Sequence, residues 1–149
     1  MFKRLIQPLL HHAFLITRPL TVGVRGICYD PENRSILLVK HTYAEEWALP
    51  GGGVETSEST LAALRRELSE EAGVLCETAT ILDVYHNVSL SKRDHVILYL
   101  VQQWLIEPAH TRPKLEISET AWFRLDSLPL KLTPCTEAAI KVWRKNFPK

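Results

Sequence analysis

The chain has 149 residues, of which 46% are hydrophobic and 23% are charged, and its formal net charge at pH 7 is +1. This length is typical of one domain, which would bury about two-thirds of the surface that the unfolded chain exposes. The nearly balanced charge excludes the strong positive field that an obligate nucleic-acid partner would require.

Residues 1–20 precede the first predicted strand. Lys3 and Arg4, followed by a short apolar run, resemble the start of a signal peptide, but Pro8 interrupts the run and no small-residue cleavage site follows. No segment is long enough to span a membrane, so no membrane partner is expected. We therefore expect residues 1–20 to pack as an extension on a single domain formed by residues 21–149.

The cysteines indicate the compartment. Cys28, Cys76 and Cys135 are far apart in the chain, and none belongs to a CxxC pair. An odd, dispersed set of this kind is typical of reduced thiols, so we expect a cytoplasmic protein in which each cysteine fills space in the core.

The periodicity of apolar residues predicts six strands and two helices. Turn-forming residues join the first two strands, which predicts a hairpin, and the fifth strand is long and apolar enough to be central in a sheet. Thr133 is the predicted cap of the last helix, with Pro134 in its first position. The predicted strands cover residues 21–29, 35–41, 47–49, 78–87, 95–106 and 121–124, and the predicted helices cover residues 57–72 and 133–146.

A glycine loop follows the third strand. Pro50 ends that strand because it cannot donate a hydrogen bond to a sheet. The three glycines at 51–53 allow positive φ angles and close approach of the backbone. The loop carbonyls can therefore face a metal ion, and the loop N–H groups can face a phosphate. Thr56 or Ser57 is the predicted cap of the next helix, with Glu58 in its first turn.

The predicted helix at 57–72 combines an apolar stripe with a cluster of acids. At about 100° per residue, its leucines fall on one face, while Glu67 and Glu71 lie about 40° apart and Glu70 about 60° from Glu67. Like charges four residues apart destabilise a helix, so the cluster predicts a bound cation such as Mg²⁺, which prefers oxygen ligands. Arg66 lies on a further face, from which its long side chain can orient a carboxylate. The alternative is a solvated acidic surface.

The loop and the helix together form one long motif. The residues that carry the motif are Gly52, Glu58, Arg66, Glu67, Leu68, Glu70, Glu71, Gly73 and Val74. A chance match to this pattern has a probability of about 10⁻⁷ at ordinary residue frequencies. The motif resembles the Nudix box, the signature of the Nudix hydrolases. Residues 47–55 resemble the lead-in strand and glycine loop of that family, and residues 116–129 resemble its closing acidic loop, strand and turn.

The resemblance implies an α/β Nudix fold, an α/β/α sandwich with a central mixed β-sheet. It implies hydrolysis of a small nucleotide-type diphosphate, a nucleoside diphosphate linked to another moiety, with one to three Mg²⁺ or Mn²⁺ ions as cofactors. Family members are often homodimers. The implied metal ligands are Glu67, Glu70, Glu71, Glu58 and the carbonyls of Gly51 and Gly52; the implied substrate-binding residues are Gly51, Gly52, Gly53 and Trp47; and the implied catalytic residues are Glu67, Arg66, Glu70, Glu116 and Glu119.

Three questions stay open at the level of sequence. The general base is Glu67 or one of the loop acids Glu116 and Glu119. The absence of subfamily motifs favours a substrate of the nucleoside triphosphate or sugar nucleotide type. The alternative function is a non-catalytic Nudix module that senses a nucleotide, although such modules usually lose acids of the box. Five residues outside the motif could contact a base or a phosphate, with packing or surface charge as the simpler interpretation: Arg25, Tyr43, Trp47, Tyr85 and Arg93.

Overall fold

A computed structural model describes residues 19–89, 91–108, 110 and 116–146. Apart from residues 19 and 20, the predicted N-terminal extension lies outside the described residues, as does much of the loop after the fifth strand. The strands are β1 (Thr21–Asp30), β2 (Ser35–His41), β3 (Trp47–Ala48), β4 (Val74–His86), β5 (Asp94–Ile106) and β6 (Ile117–Arg124), and the helices are α1 (Thr60–Ala72) and α2 (Pro134–Asn146).

The strands form one mixed sheet. Its order is β3-β2-β1-β5-β4, and β6 pairs with β2. Strands β1 and β5 are parallel, whereas the other pairs are antiparallel. Strand β5 therefore lies between two neighbours, as its apolar sequence predicts.

The glycine loop is held where β1 and β2 separate. The two strands pair only beside their connecting turn, so most of one edge of β1 is left for another partner. The loop takes that edge: the Val24 N–H donates to the Gly52 carbonyl at 2.9 Å, and the Gly26 N–H donates to the Pro50 carbonyl at 3.0 Å. These bonds fix the loop against the middle of the sheet.

The helices cover opposite faces of the sheet, which confirms the predicted α/β/α sandwich. On one face, Leu64 and Leu68 of α1 are fully buried, and on the other face Ile140 and Trp143 of α2 are buried. Burial of each large apolar side chain contributes roughly 1.5–3 kcal/mol. No helix in the described residues is both long enough and apolar enough to cross a membrane.

The start of α1 differs from the prediction. Ser59 is the cap, with its hydroxyl accepting a backbone hydrogen bond at 3.1 Å, whereas Thr56 and Ser57 lie in the preceding turn. Glu58 therefore lies before the helix, and the prediction that it occupies the first turn is wrong. The reason is local, since its carboxylate accepts a hydrogen bond from the Glu55 N–H at 3.0 Å and so closes the turn.

The other boundaries follow from caps and pairing. Helix α1 ends at Ala72, and the following Gly73 has a φ of 64°, the left-handed conformation that is typical of a glycine after a helix. The Thr136 N–H donates to the Thr133 hydroxyl at 3.3 Å, which confirms the cap of α2. Strands β4 and β6 begin four residues earlier than predicted, at Val74 and Ile117. Pairing with β5 and β2 extends them beyond their most strand-like segments.

Candidate metal and diphosphate site

Glu71 is the most buried of the three neighbouring acids on α1. Its side chain is 4% exposed. One carboxylate oxygen accepts a hydrogen bond from the Gly51 N–H at 2.8 Å. Burial raises the pKa of Glu71 to about 7, and the hydrogen bond from Gly51 opposes that rise only in part. A buried carboxylate with one backbone donor is a group whose charged form a bound cation would stabilise.

Gly51 must be glycine for this hydrogen bond to form. Its φ of 139° is rarely adopted by other residues. A Cβ atom at this position would collide with the Val24 carbonyl and lie 3.0 Å from Cα of Arg25. The absence of a side chain therefore lets the loop lie against β1 while its N–H points at Glu71.

Gly52 makes the matching contact with Glu67. A Cβ atom at Gly52 would lie 2.5 Å from Cδ of Glu67 and 2.8 Å from one of its carboxylate oxygens. Burial raises the pKa of Glu67, whereas the hydrogen bond and the charge of Arg66 lower it. Adjacent glycines of the loop thus pack against acids from successive turns of α1.

Arg66 joins the glycine loop to these acids. Its guanidinium donates to both carboxylate oxygens of Glu58, at 2.9 and 3.1 Å, and the same group donates to Glu67 at 2.8 Å. It also donates to the Gly53 carbonyl at 3.0 Å and to Glu70 at 3.4 Å. The side chain therefore reaches back to orient a carboxylate, as predicted, and the Arg66 hydrogen bond lowers the pKa of Glu58. Glu70 is at the rim, with 56% of its side chain exposed.

His41 contacts the acid cluster from β2. Its Nε2 lies 4.0 Å from a carboxylate oxygen of Glu71, and its side chain is 15% exposed. The register of β2 against β6 shifts between Lys40 and His41, and such bulges can re-aim a side chain. Burial lowers the pKa of His41, which favours the neutral ring. The sequence pattern does not single out His41, because a lone histidine at a strand end carries no signal of its partner.

Arg25 brings a positive charge to the same place. It lies in β1 beside the glycine loop, and its charge lowers the pKa of Glu67, Glu71 and His41. From the sequence, a surface charge is the simpler interpretation of this arginine. The structure instead places its charge close enough to act on the acids, where it can attract a phosphate.

The comparison with known proteins identifies the family. The family model of the NUDIX domain matches residues 19–143. The chain belongs to the Nudix family. The crystal structure of a MutT NUDIX hydrolase from Burkholderia pseudomallei aligns with a TM-score of 0.70 and 31% identity, covering 81% of this chain and 95% of that one.

Two curated relatives match parts of this Nudix chain. Diphosphoinositol polyphosphate phosphohydrolase 2 from Rattus norvegicus is 32% identical over 81 residues, which are 53% of this chain and 45% of that protein. RNA pyrophosphohydrolase from Ruthia magnifica subsp. Calyptogena magnifica is 42% identical over 57 residues, which are 38% of this chain and 32% of that protein. The matches thus span less than half the length of these curated relatives.

The residues of this Nudix site fit a hard divalent cation, although they do not form a complete cage. Within the described ranges, no three His, Cys, Asp or Glu side chains are close enough together to hold a metal ion. The buried carboxylate of Glu71 and the half-buried carboxylate of Glu67 nevertheless lie against one backbone loop. Mg²⁺ usually takes one or two protein carboxylates and completes its shell with substrate phosphates and water.

The two acids near β6 differ in their surroundings. The charge of Glu116 raises the pKa of Glu71, so Glu116 lies close enough to act on the cluster. Glu119 is exposed on β6 and forms an ion pair with Lys40 at 3.3 Å. The tertiary structure therefore brings Glu116 towards the Nudix acids and gives Glu119 a partner of its own.

The contacts of Trp47 are typical of a residue that packs in the hydrophobic core. Its ring lies edge-on to Phe123, with 4.7 Å between the ring centroids, and belongs to the hydrophobic cluster on the α2 face. The ammonium of Lys40 lies 5.9 Å from the ring centroid. These contacts explain its half-buried position without a substrate.

Proposed function

We propose that this Nudix protein is a Mg²⁺- or Mn²⁺-dependent pyrophosphohydrolase. Its substrate would be a nucleoside diphosphate linked to another moiety, of the nucleoside triphosphate or sugar nucleotide type. The observation that carries the proposal is the packing of the glycine loop on two box acids, with Gly51 bonded to Glu71 and Gly52 in contact with Glu67. The names of the two curated relatives, a phosphohydrolase and a pyrophosphohydrolase, support phosphoanhydride chemistry.

Glu67 and Glu71 would hold the metal, with Glu70 assisting from the rim. The Gly51 carbonyl would be the backbone ligand, because the Gly52 carbonyl already accepts a hydrogen bond from β1. Glu58 is engaged on both oxygens by Arg66 and would act only through water. When bound, the cation neutralises charge on the phosphate oxygens and acidifies the attacking water.

The protein side chains would do the rest by positioning. Arg66 fixes the carboxylate of Glu67 and ties it to the loop, and the charge of Arg25 helps to draw the diphosphate towards the acids. Glu67 or Glu116 would accept the proton of the attacking water, since Glu67 contacts the glycine loop and the charge of Glu116 acts on Glu71. Glu119 is the weaker candidate, because Lys40 holds it in an exposed ion pair.

A turnover assay tests the proposal. The purified chain is incubated with deoxynucleoside triphosphates, ADP-ribose and UDP-glucose, with Mg²⁺ or with EDTA, and the products are separated by ion-exchange chromatography. Metal-dependent release of a nucleoside monophosphate is expected for at least one substrate. Turnover in EDTA, or tight binding without turnover, would overturn the proposal, and the latter result would favour the nucleotide-sensing module. Light scattering of the same sample tests the implied homodimer.

A further inference from the structure

Tyr43 presents an aromatic ring to solvent beside the Nudix acids. Its exposed fraction is 78%, which is high for a large apolar side chain, and no other aromatic residue is among the exposed large hydrophobic residues of the described ranges. One face of its ring is stacked on His41, with centroids 5.1 Å apart and planes inclined by 19°. The other face is therefore free to receive a planar group.

The position of this ring is fixed by its neighbours. The Thr42 N–H donates to the Glu116 carbonyl at 2.9 Å, and the Ala44 N–H donates to the His41 carbonyl at 3.3 Å. The His41 ring itself lies 4.0 Å from the Glu71 carboxylate. The His41 ring therefore lies between Tyr43 and Glu71, the most buried acid. Backbone hydrogen bonds hold the turn that carries Tyr43 in this position.

The loop that carries Tyr43 offers no cation for a further phosphate. Residues 42–46 include Glu45 and Glu46, both exposed, and contain no lysine or arginine. The nearby Lys131 is already paired with Glu45. A substrate with phosphates on several sides would therefore gain no charge-assisted contact from this loop, whereas an uncharged planar base needs only the ring of Tyr43.

We propose that Tyr43, supported by His41, is the stacking platform for a nucleobase. The substrate is then a nucleotide. A phosphorylated inositol, which the name of the rat relative implies for that protein, is disfavoured. This inference rests on the proposed function, because it takes the diphosphate to lie at Glu67 and Glu71. Aromatic platforms accept bases of any sequence, since every base has a π face.

Binding of analogues that resist hydrolysis tests the platform without requiring turnover. The probes are the α,β-methylene analogues of ADP, GDP and UDP, with methylenediphosphonate as the probe that lacks a base, all titrated calorimetrically in Mg²⁺. At least one nucleotide analogue is expected to bind about tenfold or more tightly than methylenediphosphonate. Tyr43→Ala should remove most of that advantage, Tyr43→Phe should keep it, and neither should alter binding of methylenediphosphonate.

Val88→Ala is the matched control. Val88 is 69% exposed in the turn after β4, so the change removes exposed apolar surface away from the acids. Equal affinity of every nucleotide analogue and methylenediphosphonate for the unaltered protein would overturn the platform, as would unchanged nucleotide affinity in Tyr43→Ala.

The two proposals fail in different ways. If the turnover assay shows no hydrolysis but Tyr43→Ala weakens binding of the nucleotide analogues, the platform stands and the proposed activity is wrong. If nucleotides are hydrolysed and Tyr43→Ala has the KM and kcat of the unaltered protein, the activity stands and the platform is wrong. With both correct, Tyr43→Ala should raise KM for nucleotides about tenfold and change kcat less than twofold.

Discussion

Gly52 packs directly on the carboxylate of Glu67, so closely that a methyl group on the glycine would lie 2.5 Å from the carboxyl carbon. The position of the Glu67 carboxylate thus depends on the absence of a side chain at Gly52, fifteen residues earlier in the chain. Arg66 donates a hydrogen bond of 2.8 Å to the same carboxylate. Glu67 is therefore held by contact with both the backbone of the loop and a guanidinium.

Gly52→Ala should displace Glu67 and lower activity. The added methyl group cannot share the space of the carboxylate, and a shift of about 1 Å in a positioning group can cost about 10²-fold in rate. We expect kcat/KM to fall by about that factor while the thermal unfolding midpoint changes little, because the acid can rotate outwards. Steady-state kinetics and a thermal melt of the same preparation measure both quantities.

The neighbouring Gly53→Ala provides the control. A Cβ atom at Gly53 would meet nothing within 4 Å, and the substitution keeps the backbone N–H groups of the loop. Its effect on kcat/KM should be much smaller than that of Gly52→Ala. Equal losses in the two variants would show that general loop rigidity, and not the contact with Glu67, explains the requirement for glycine.

Glu71→Gln should abolish most turnover without unfolding the protein. The amide oxygen can still accept the Gly51 hydrogen bond, but the negative charge that would hold the metal is lost. Metal-ion catalysis supplies several kcal/mol of transition-state stabilisation, so kcat should fall about 10²- to 10³-fold. Glu77→Gln, at an exposed position of β4, is the charge-matched control. A fully active Glu71→Gln protein would contradict the metal assignment.

Without metal, the protein should lose stability as the pH rises from 4.5 through 7. Burial raises the pKa of Glu71 from its ordinary 4.5 to about 7 in the folded state. A raised folded pKa contributes stability that is complete below 4.5 and is lost as the pH passes the folded value. The difference between these two pKa values corresponds to about 3 kcal/mol of folding stability. Chemical denaturation in EDTA at several pH values measures it.

Two comparisons isolate the contribution of Glu71. The lowered pKa of His41 acts in the opposite direction, since it gives stability above its ordinary 6.5 that is lost as the pH falls. The difference in unfolding free energy between the unaltered protein and Glu71→Gln should therefore show the predicted decrease with rising pH. Saturating Mg²⁺ should flatten that slope, because a bound cation favours the ionised carboxylate. Parallel pH profiles of the two proteins in EDTA would refute this account.

Arg66→Lys should impair both activity and stability despite keeping the charge. A lysine ammonium cannot reproduce the planar fork that joins Glu58, Glu67 and the Gly53 carbonyl. We expect kcat/KM to fall at least about tenfold, and the thermal midpoint to decrease, because the glycine loop loses its link to the helix.

Arg65→Lys separates these effects. Arg65 donates to the carbonyls of Cys76 and Glu77, so it ties α1 to the start of β4 without touching the acids. Its substitution should lower the thermal midpoint while kcat/KM stays within about twofold. A comparable loss of activity in both variants would mean that Arg66 acts only through the stability of the helix.

Local features of the site could be predicted from the sequence because they depend on neighbours in the chain. Contacts between residues three or four apart are set by helix geometry, so the buried leucines and the stacked acids Glu67 and Glu71 follow from spacing alone. The same holds for Gly73, whose position after the apolar stripe predicts the end of the helix. The start of α1 does not follow from spacing in this way, because several hydroxyl residues compete for the cap. In the structure Ser59 has the extended backbone of a cap, whereas Ser57 has a φ of 68°.

The sequence by itself determined the motif, the acids on one helix and the succession of strands and helices. Only the tertiary structure decided which distant residues join them: Arg25, His41 and Glu116 come to the acids because β1 and β2 separate and the glycine loop fills the gap. These residues are far apart in the chain, so no local period encodes their contacts. Their positions follow from the pairing of strands across the sheet, which depends on the packing of the whole domain.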